Sequence, residues 1–137
     1  RLGAANSIFV GDRLDTDIAG AVAAGLDSML VLTGAHGPAD LVVAGPGERP
    51  THLGYDLRAL LEPARVSSER PGEVACGEQS AVLDSGRIAL AGTPADRASA
   101  VDALWATATL AWRLSDLGRT ADASPAVRVI DAVLARH

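Results

Sequence analysis

Ser7-Ile8-Phe9-Val10-Gly11-Asp12-Arg13-Leu14-Asp15-Thr16-Asp17-Ile18 is the stretch on which the reading of this chain turns. An apolar run of strand length meets a glycine and passes into a segment rich in aspartate. Ile8 to Val10 predict a short strand ending at Gly11, and Asp15 or Thr16 can cap a helix whose inward face is Ile18, Ala21 and Val22. Gly25 suits the left-handed position that closes such a helix, with Leu26 making the apolar contact that follows it. A second strand is expected over Met29 to Leu32, stopped by Thr33-Gly34. Strands joined in this way by a helix predict a right-handed parallel crossover.

Working outward, residues 35–50 are rich in Gly and Pro, with room for a short helix around Pro38 to Val43. Thr51 to Gly54 predict a third short strand, and Asp56 can cap Leu57 to Leu61. Parallel strands are normally covered on both faces, so this region is expected to need further sheet partners. Glu62 to Gly72 turn to Pro, Ser, Arg and Glu, the composition of a linker. Beyond it Glu73–Cys76, Ser80–Leu83 and Arg87–Leu90 read as strands, the last two joined by a turn at Asp84-Ser85-Gly86. Thr93, Pro94 and Asp96 read as a helix start, and Val101, Leu104, Trp105, Ala108 and Trp112 repeat at helical spacing up to Gly118. A last helix is expected from Ser124-Pro125, with Val127, Ile130 and Leu134 on one face.

Composition narrows the class. With 137 residues, 48% of them hydrophobic, the chain can fill one ordinary domain, or part of one plus a small second unit. It begins at Arg1 and is almost at once in a strand, which reads as a piece of a longer protein. No apolar run approaches the roughly 20 residues that cross a bilayer, no signal-peptide order is present, and Cys76 is the single cysteine. A cytoplasmic setting without a membrane partner is the expectation. The net charge of −5 and scattered arginines offer no basic stripe for nucleic acid. All 12 basic residues are arginine, so no step that needs a lysine can be completed by this chain alone.

Chemistry points back to the opening stretch. In parallel α/β sheets ligands gather beyond the carboxyl ends of the strands, and Asp12 stands there, just past Val10. Gly11 allows close backbone approach, and Asp17 can lie behind Asp12 and orient it through a hydrogen bond or a shared water. A hard cation such as Mg²⁺ takes oxygen ligands, often only one or two carboxylates, with water and substrate phosphate filling the rest. Asp12 and Asp17 fit that sparse pattern. Aspartates also gather at helix N-termini for capping and dipole reasons alone, and the residues by themselves leave both readings open.

The run from Ile8 to Ile18, followed by Ala23-Ala24-Gly25-Leu26, Met29-Leu30-Val31-Leu32-Thr33-Gly34, Arg49-Pro50-Thr51 and Asp56-Leu57-Arg58-Ala59-Leu60, resembles the fourth motif region of haloacid dehalogenase (HAD) superfamily hydrolases. It is most similar to the branch of p-nitrophenyl, phosphoglycolate, pyridoxal phosphate, nucleotide and glycerol-3-phosphate phosphatases. The resemblance covers about residues 6–61. It implies an α/β fold, the C-terminal part of a Rossmann-like core of parallel strands and helices over residues 1–61, with 62–72 as linker and 73–137 as a small α+β module.

The same resemblance implies Mg²⁺ as cofactor, Asp12 as a direct metal ligand and Asp17 in support, directly behind it or through water. It implies a small phosphorylated metabolite as substrate and an aspartyl-phosphate mechanism. The nucleophilic aspartate, its acid–base partner and the phosphate-binding lysine have no counterpart here and are expected upstream, as is the cap that selects substrate; no catalytic residue is assigned within the chain. Asp15-Thr16-Asp17 superficially matches the nucleophile pattern but is followed by Ile18-Ala19 and is read as coincidence.

His36 and His52 lie on expected loops without metal-ligand spacing, and a surface or structural role is the better reading. Cys76 reads as a small buried apolar residue, and Trp105 with Trp112 as core or an interface stripe. The module after residue 72 is compatible with a degenerate acetyltransferase-like extension, but without the loop that holds the pyrophosphate of acetyl-CoA. A regulatory, binding or homodimer-forming role is preferred for it. A rival reading makes the whole chain a non-catalytic interaction piece whose rear module does the work.

Overall fold

The computed structural model describes residues 7–136, so Arg1–Asn6 of the first expected unit and His137 of the second lie outside the described residues. The chain divides into residues 1–64 and 65–137.

In the first unit β1 (Ile8–Gly11), β2 (Asp27–Val31) and β3 (His52–Gly54) form a parallel sheet in the order β1-β2-β3. The register places Val10 beside Met29 and Gly11 beside Leu30, so β1 and β2 end level. Central β2 is the covered strand, with Ser28, Met29 and Leu30 all buried, whereas Phe9 on β1 is 47% exposed. Thr51 stitches β3 to β2 by accepting the Ser28 N–H at 2.8 Å and donating its hydroxyl to the Ser28 carbonyl at 3.0 Å.

The connection from β1 to β2 differs from expectation at its start. Leu14–Ile18 form a wide π-type turn, in which the Ile18 N–H reaches the Arg13 carbonyl at 3.0 Å, before the regular helix α1 (Ala19–Ala23) begins. Neither Asp15 nor Thr16 caps it. Asp15 pairs with Arg13 at 2.9 Å, and the orphan N–H groups ahead of the turn are taken by Asp17 from inside it. Gly25 does close the helix, at φ +71°. Leu14, Ile18 and Ala21 are the buried side chains of this segment; Val22, expected beside them, is only half-buried. The short helix α2 (Pro38–Val42) buries Leu41 and Val42, and Asp56 caps the 3₁₀ turn Leu57–Leu61 by accepting the Arg58 N–H at 3.0 Å.

The second unit is an antiparallel meander, β4 (Ser67–Arg70), β5 (Glu73–Cys76), β6 (Gln79–Asp84) and β7 (Arg87–Leu90), packed against α3 (Arg97–Asp116) and α4 (Ser124–Ala135). β4 falls within the stretch read as linker. Its polar composition is that of a sheet edge open to solvent, and Gly72 at φ +72° supplies the turn that folds it onto β5. The helix start at Thr93 also moves: α3 begins at Arg97, and Asp96 is the cap, accepting the Ser99 N–H at 2.9 Å. Packed against both the sheet and α4, α3 buries Ala100, Ala103, Ala106, Thr107, Leu110 and Leu114 as well as the expected Val101, Leu104 and Ala108. Trp105 and Trp112 stay half-exposed and meet edge to face at 5.8 Å. Ala126, Val127, Ile130 and Val133 of α4 complete the core, with Leu134 half-buried. No described helix is long and apolar enough to cross a membrane.

Candidate metal centre

Asp12 follows the last residue of β1, at the carboxyl end of the parallel sheet, as expected for a ligand-facing position. Its carboxylate does not hang free. Oδ2 accepts the Ala35 N–H at 3.1 Å, and the Asp12 carbonyl accepts the His36 N–H at 3.1 Å. Both donors lie beyond β2, just past Gly34, so the loop after the neighbouring strand holds the residue at the end of β1.

Asp17 comes back under this point from the π-type turn. Its Oδ2 accepts the backbone N–H of Asp12 at 3.2 Å and of Arg13 at 3.3 Å. The contact is therefore to the peptide groups that carry Asp12, not to its side chain. A carboxylate receiving two N–H groups fixes that segment against rotation, and the wide turn brings Asp17 within reach of both.

Two glycines make the arrangement possible. A side chain at Gly11 would run into the Cβ and carboxylate of Asp17, and one at Gly34 into the Cβ and carboxylate of Asp12. In each case the obstacle includes a Cβ, which cannot swing aside without moving the backbone. Gly11 was legible as a site of close approach. From the sequence, Gly34 reads only as the stop of a strand.

His36 is the residue that sequence reasoning set aside. Its Nδ1 accepts the Leu14 N–H at 2.8 Å, while its own N–H goes to the Asp12 carbonyl. This one residue therefore grips the chain at the Asp12 carbonyl and again at the Leu14 N–H, on either side of Arg13. The signal available was position: His36 lies in the loop after β2, and loops after adjacent parallel strands converge. His52 is elsewhere, its Nδ1 2.8 Å from the neighbouring Thr51 hydroxyl.

Beside the turn is a groove of about 380 Å³ lined by Leu14, Asp15, His36, Asp40, Val43 and Glu48. Three carboxylates on its wall make it a poor seat for a phosphate on its own. The hydrogen bond and charge of Arg13 hold the Asp15 carboxyl below the ordinary carboxylate range, and this pair is exposed. Cys76 sits in the second unit, where burial, reinforced by the nearby Asp102 carboxylate, pushes its thiol up to about 11. It is a core residue, inert at neutral pH.

The donor set is sparse. Among the described residues no group of three or more His, Cys, Asp or Glu side chains could hold a metal together. The Ala35 N–H takes one acceptor site of Oδ2 and leaves the rest of the Asp12 carboxylate to present, which suits a cation that takes one carboxylate from this loop and its remaining oxygens from elsewhere. A thiolate or imidazole cluster for a softer metal is not formed by the described residues.

Residues 1–60 match the family model described as HAD-hydrolase-like. The chain is 51% identical over 65 residues to the D-glycerol 3-phosphate phosphatase of Mycobacterium tuberculosis, covering 47% of this chain and 18% of that protein. It is also similar to the crystal structure of a glycerol phosphate phosphatase from M. tuberculosis in complex with magnesium, at a TM-score of 0.64 and 33% identity over 94% of this chain. The corresponding calcium complex gives a TM-score of 0.54 at 36% identity over 85% of this chain. The chain spans 36% and 32% of the length of those two structures.

Proposed function

We propose that this chain, whose residues 1–60 match the HAD-hydrolase-like family model, contributes the metal-holding end of the active site of a phosphatase that hydrolyses a small phosphomonoester with Mg²⁺. One observation carries the reading. The Asp12 carboxylate stands at the carboxyl end of β1, clamped through Oδ2 by the Ala35 N–H and through its own peptide N–H by Asp17.

Asp12 is the direct ligand in this proposal. Asp17 acts behind it by fixing the peptide groups of residues 12 and 13. Magnesium, when bound, supplies positive charge opposite the phosphoryl group during transfer. The contribution of this chain is to keep one carboxylate oxygen aimed and pre-oriented, so that little reorganisation is needed when charge develops.

The lysine must come from other residues of the full-length protein, since the chain contains none, and the proposal places the nucleophilic aspartate and its acid–base partner there as well. The 137-residue chain alone is therefore expected not to turn over p-nitrophenyl phosphate with Mg²⁺. Glycerol 3-phosphate, the substrate for which the mycobacterial relative is named, is the first compound to assay. Residues 73–137 serve a regulatory, binding or dimer-forming role beside the chemistry, and the protein works in the cytoplasm.

The test is Asp12→Ala in the full-length protein. We expect kcat to fall by about 10³-fold or more with circular dichroism unchanged, because the metal loses a ligand at the developing charge. Near-normal turnover by a folded Asp12→Ala protein would refute the assignment, and robust metal-dependent turnover by the 137-residue chain would refute the division of the machinery.

A further inference from the structure

We infer that His36 is a positioning residue for the metal-bearing loop, acting as a neutral imidazole whose Nδ1 accepts the Leu14 N–H while its backbone N–H binds the Asp12 carbonyl. This rests on the reading of Asp12 as a metal ligand and extends it to a residue that acts through the backbone around Asp12.

The geometry supports the role in three ways. The bond from Leu14 N–H to Nδ1 is short, at 2.8 Å, and bridges residues 22 apart in the chain. It therefore ties the turn after β1 to the loop after β2. It also meets the bond from His36 N–H to the Asp12 carbonyl at 3.1 Å and the bond from Ala35 N–H to Asp12 Oδ2 at 3.1 Å. Together these hold Asp12 from its side chain, its carbonyl and the residue two positions on. Finally, Leu14 opens the π-type turn, so its N–H has no partner within that turn. His36 supplies the acceptor that a side-chain cap would otherwise provide, and Arg13, the residue in the capping position, makes no such bond.

An N–H donor fixes the protonation of its acceptor. Nδ1 must carry a lone pair toward Leu14, so the proton of the neutral ring is on Nε2, on the far side of the ring. Groups that only support a metal ligand typically change metal affinity by about 10- to 100-fold when removed. That is the size of effect expected here.

The experiment uses the full-length protein and Mn²⁺ as the probe, with free Mn²⁺ read by electron paramagnetic resonance, so that it does not depend on turnover. Asp12→Asn is the reference, His36→Leu removes the acceptor, and His36→Asn restores one, since Asn Oδ1 occupies the place of Nδ1. Asp12→Asn should remove binding at this site. His36→Leu should weaken it by about 10- to 100-fold, with faster hydrogen exchange at the Leu14 amide, and His36→Asn should recover most of the loss.

Loss of binding in Asp12→Asn with none in His36→Leu would overturn the role of His36 alone. Equal losses in His36→Leu and His36→Asn would overturn it too, since packing and not the acceptor would then matter. Undiminished binding in Asp12→Asn would bring down the metal reading itself. Should His36→Leu not fold, the wild-type tautomer decides: nitrogen NMR should show the neutral ring protonated at Nε2, and a proton on Nδ1 would refute the proposal.

Discussion

The two units solve opposite problems. In the first, the strands have 4, 5 and 3 residues and the regular helices 5 each, yet their ends bring a carboxylate, a second carboxylate and an imidazole to one loop cluster. In the second, α3 alone runs 20 residues and buries nine of them, packed against a sheet and another helix. Short parallel strands that end level make a place where several backbone N–H groups converge. A long helix on an antiparallel meander makes a core. In the first unit a small apolar core that includes Ile18, Leu30 and Leu41 is joined at the strand ends by specific polar contacts and close glycine approaches, whereas in the second the apolar volume on α3 dominates.

That contrast can be broken most forcefully from the second unit. Leu104 is fully buried on α3, so Leu104→Ala should cost about 2–5 kcal/mol in denaturant unfolding. Mn²⁺ binding by the folded protein should not change. A parallel loss of metal affinity, measured below the unfolding transition, would show that the first unit depends on the packing of the second.

The matching change in the first unit is Gly34→Ala. Only one methyl is added, but it meets the Cβ and carboxylate of Asp12. Stability should fall by about 1–3 kcal/mol, whereas activity of the full-length protein should drop about 10²-fold, since a displacement of roughly 1 Å at a reacting group has that effect. Steady-state kinetics and thermal unfolding measured together would separate the two. Equal, small losses in both would mean that the close approach at Gly34 matters for packing alone.

The smallest expected effect is a pH dependence confined to the second unit. Burial raises the Cys76 thiol from its ordinary 9.0 to about 11, so the folded state keeps a proton that the unfolded chain gives up. The contribution is therefore fully present below pH 9 and is lost as pH rises toward 11. Unfolding midpoints across that window should fall with pH in the wild type and less steeply in Cys76→Ala. Identical slopes would place the thiol in a more solvated setting than its burial indicates.

Residue by residue, the sequence was most informative where physics is local. The apolar run at Ile8–Val10, the helix closed at Gly25 and the turn at Asp84-Ser85-Gly86 all follow from hydrophobic pattern and φ preference, and the structure has them. Asp56 as a cap is equally local, two residues from the N–H it accepts. The caps expected at Asp15 or Thr16 and at Thr93 failed because several polar residues competed within a few positions. Which of them caps depends on where neighbouring segments pull the chain. At the first turn Arg13 takes Asp15 and the backbone takes Asp17; before α3, Asp96 reaches Ser99. The strand at Ser67–Arg70 was hidden by its polar composition, because its stability comes from the ladder to β5.

For the site, Asp12, Asp17 and Gly11 lie within seven consecutive residues and could be read together. The bonds from the Leu14 N–H to His36 and from the Ala35 N–H to Asp12 span 22 and 23 residues, and nothing in a linear pattern states which loop will close on which. That a carboxylate stands at the end of a strand, where a parallel sheet presents ligands, follows from the chain alone, because hydrophobic run, glycine and aspartate are adjacent in it. How that carboxylate is held depends on the folded arrangement. The level ends of β1 and β2 bring a second loop within hydrogen-bonding distance, and the donors on that loop are mostly backbone N–H groups, which every residue but proline carries and no sequence pattern can mark.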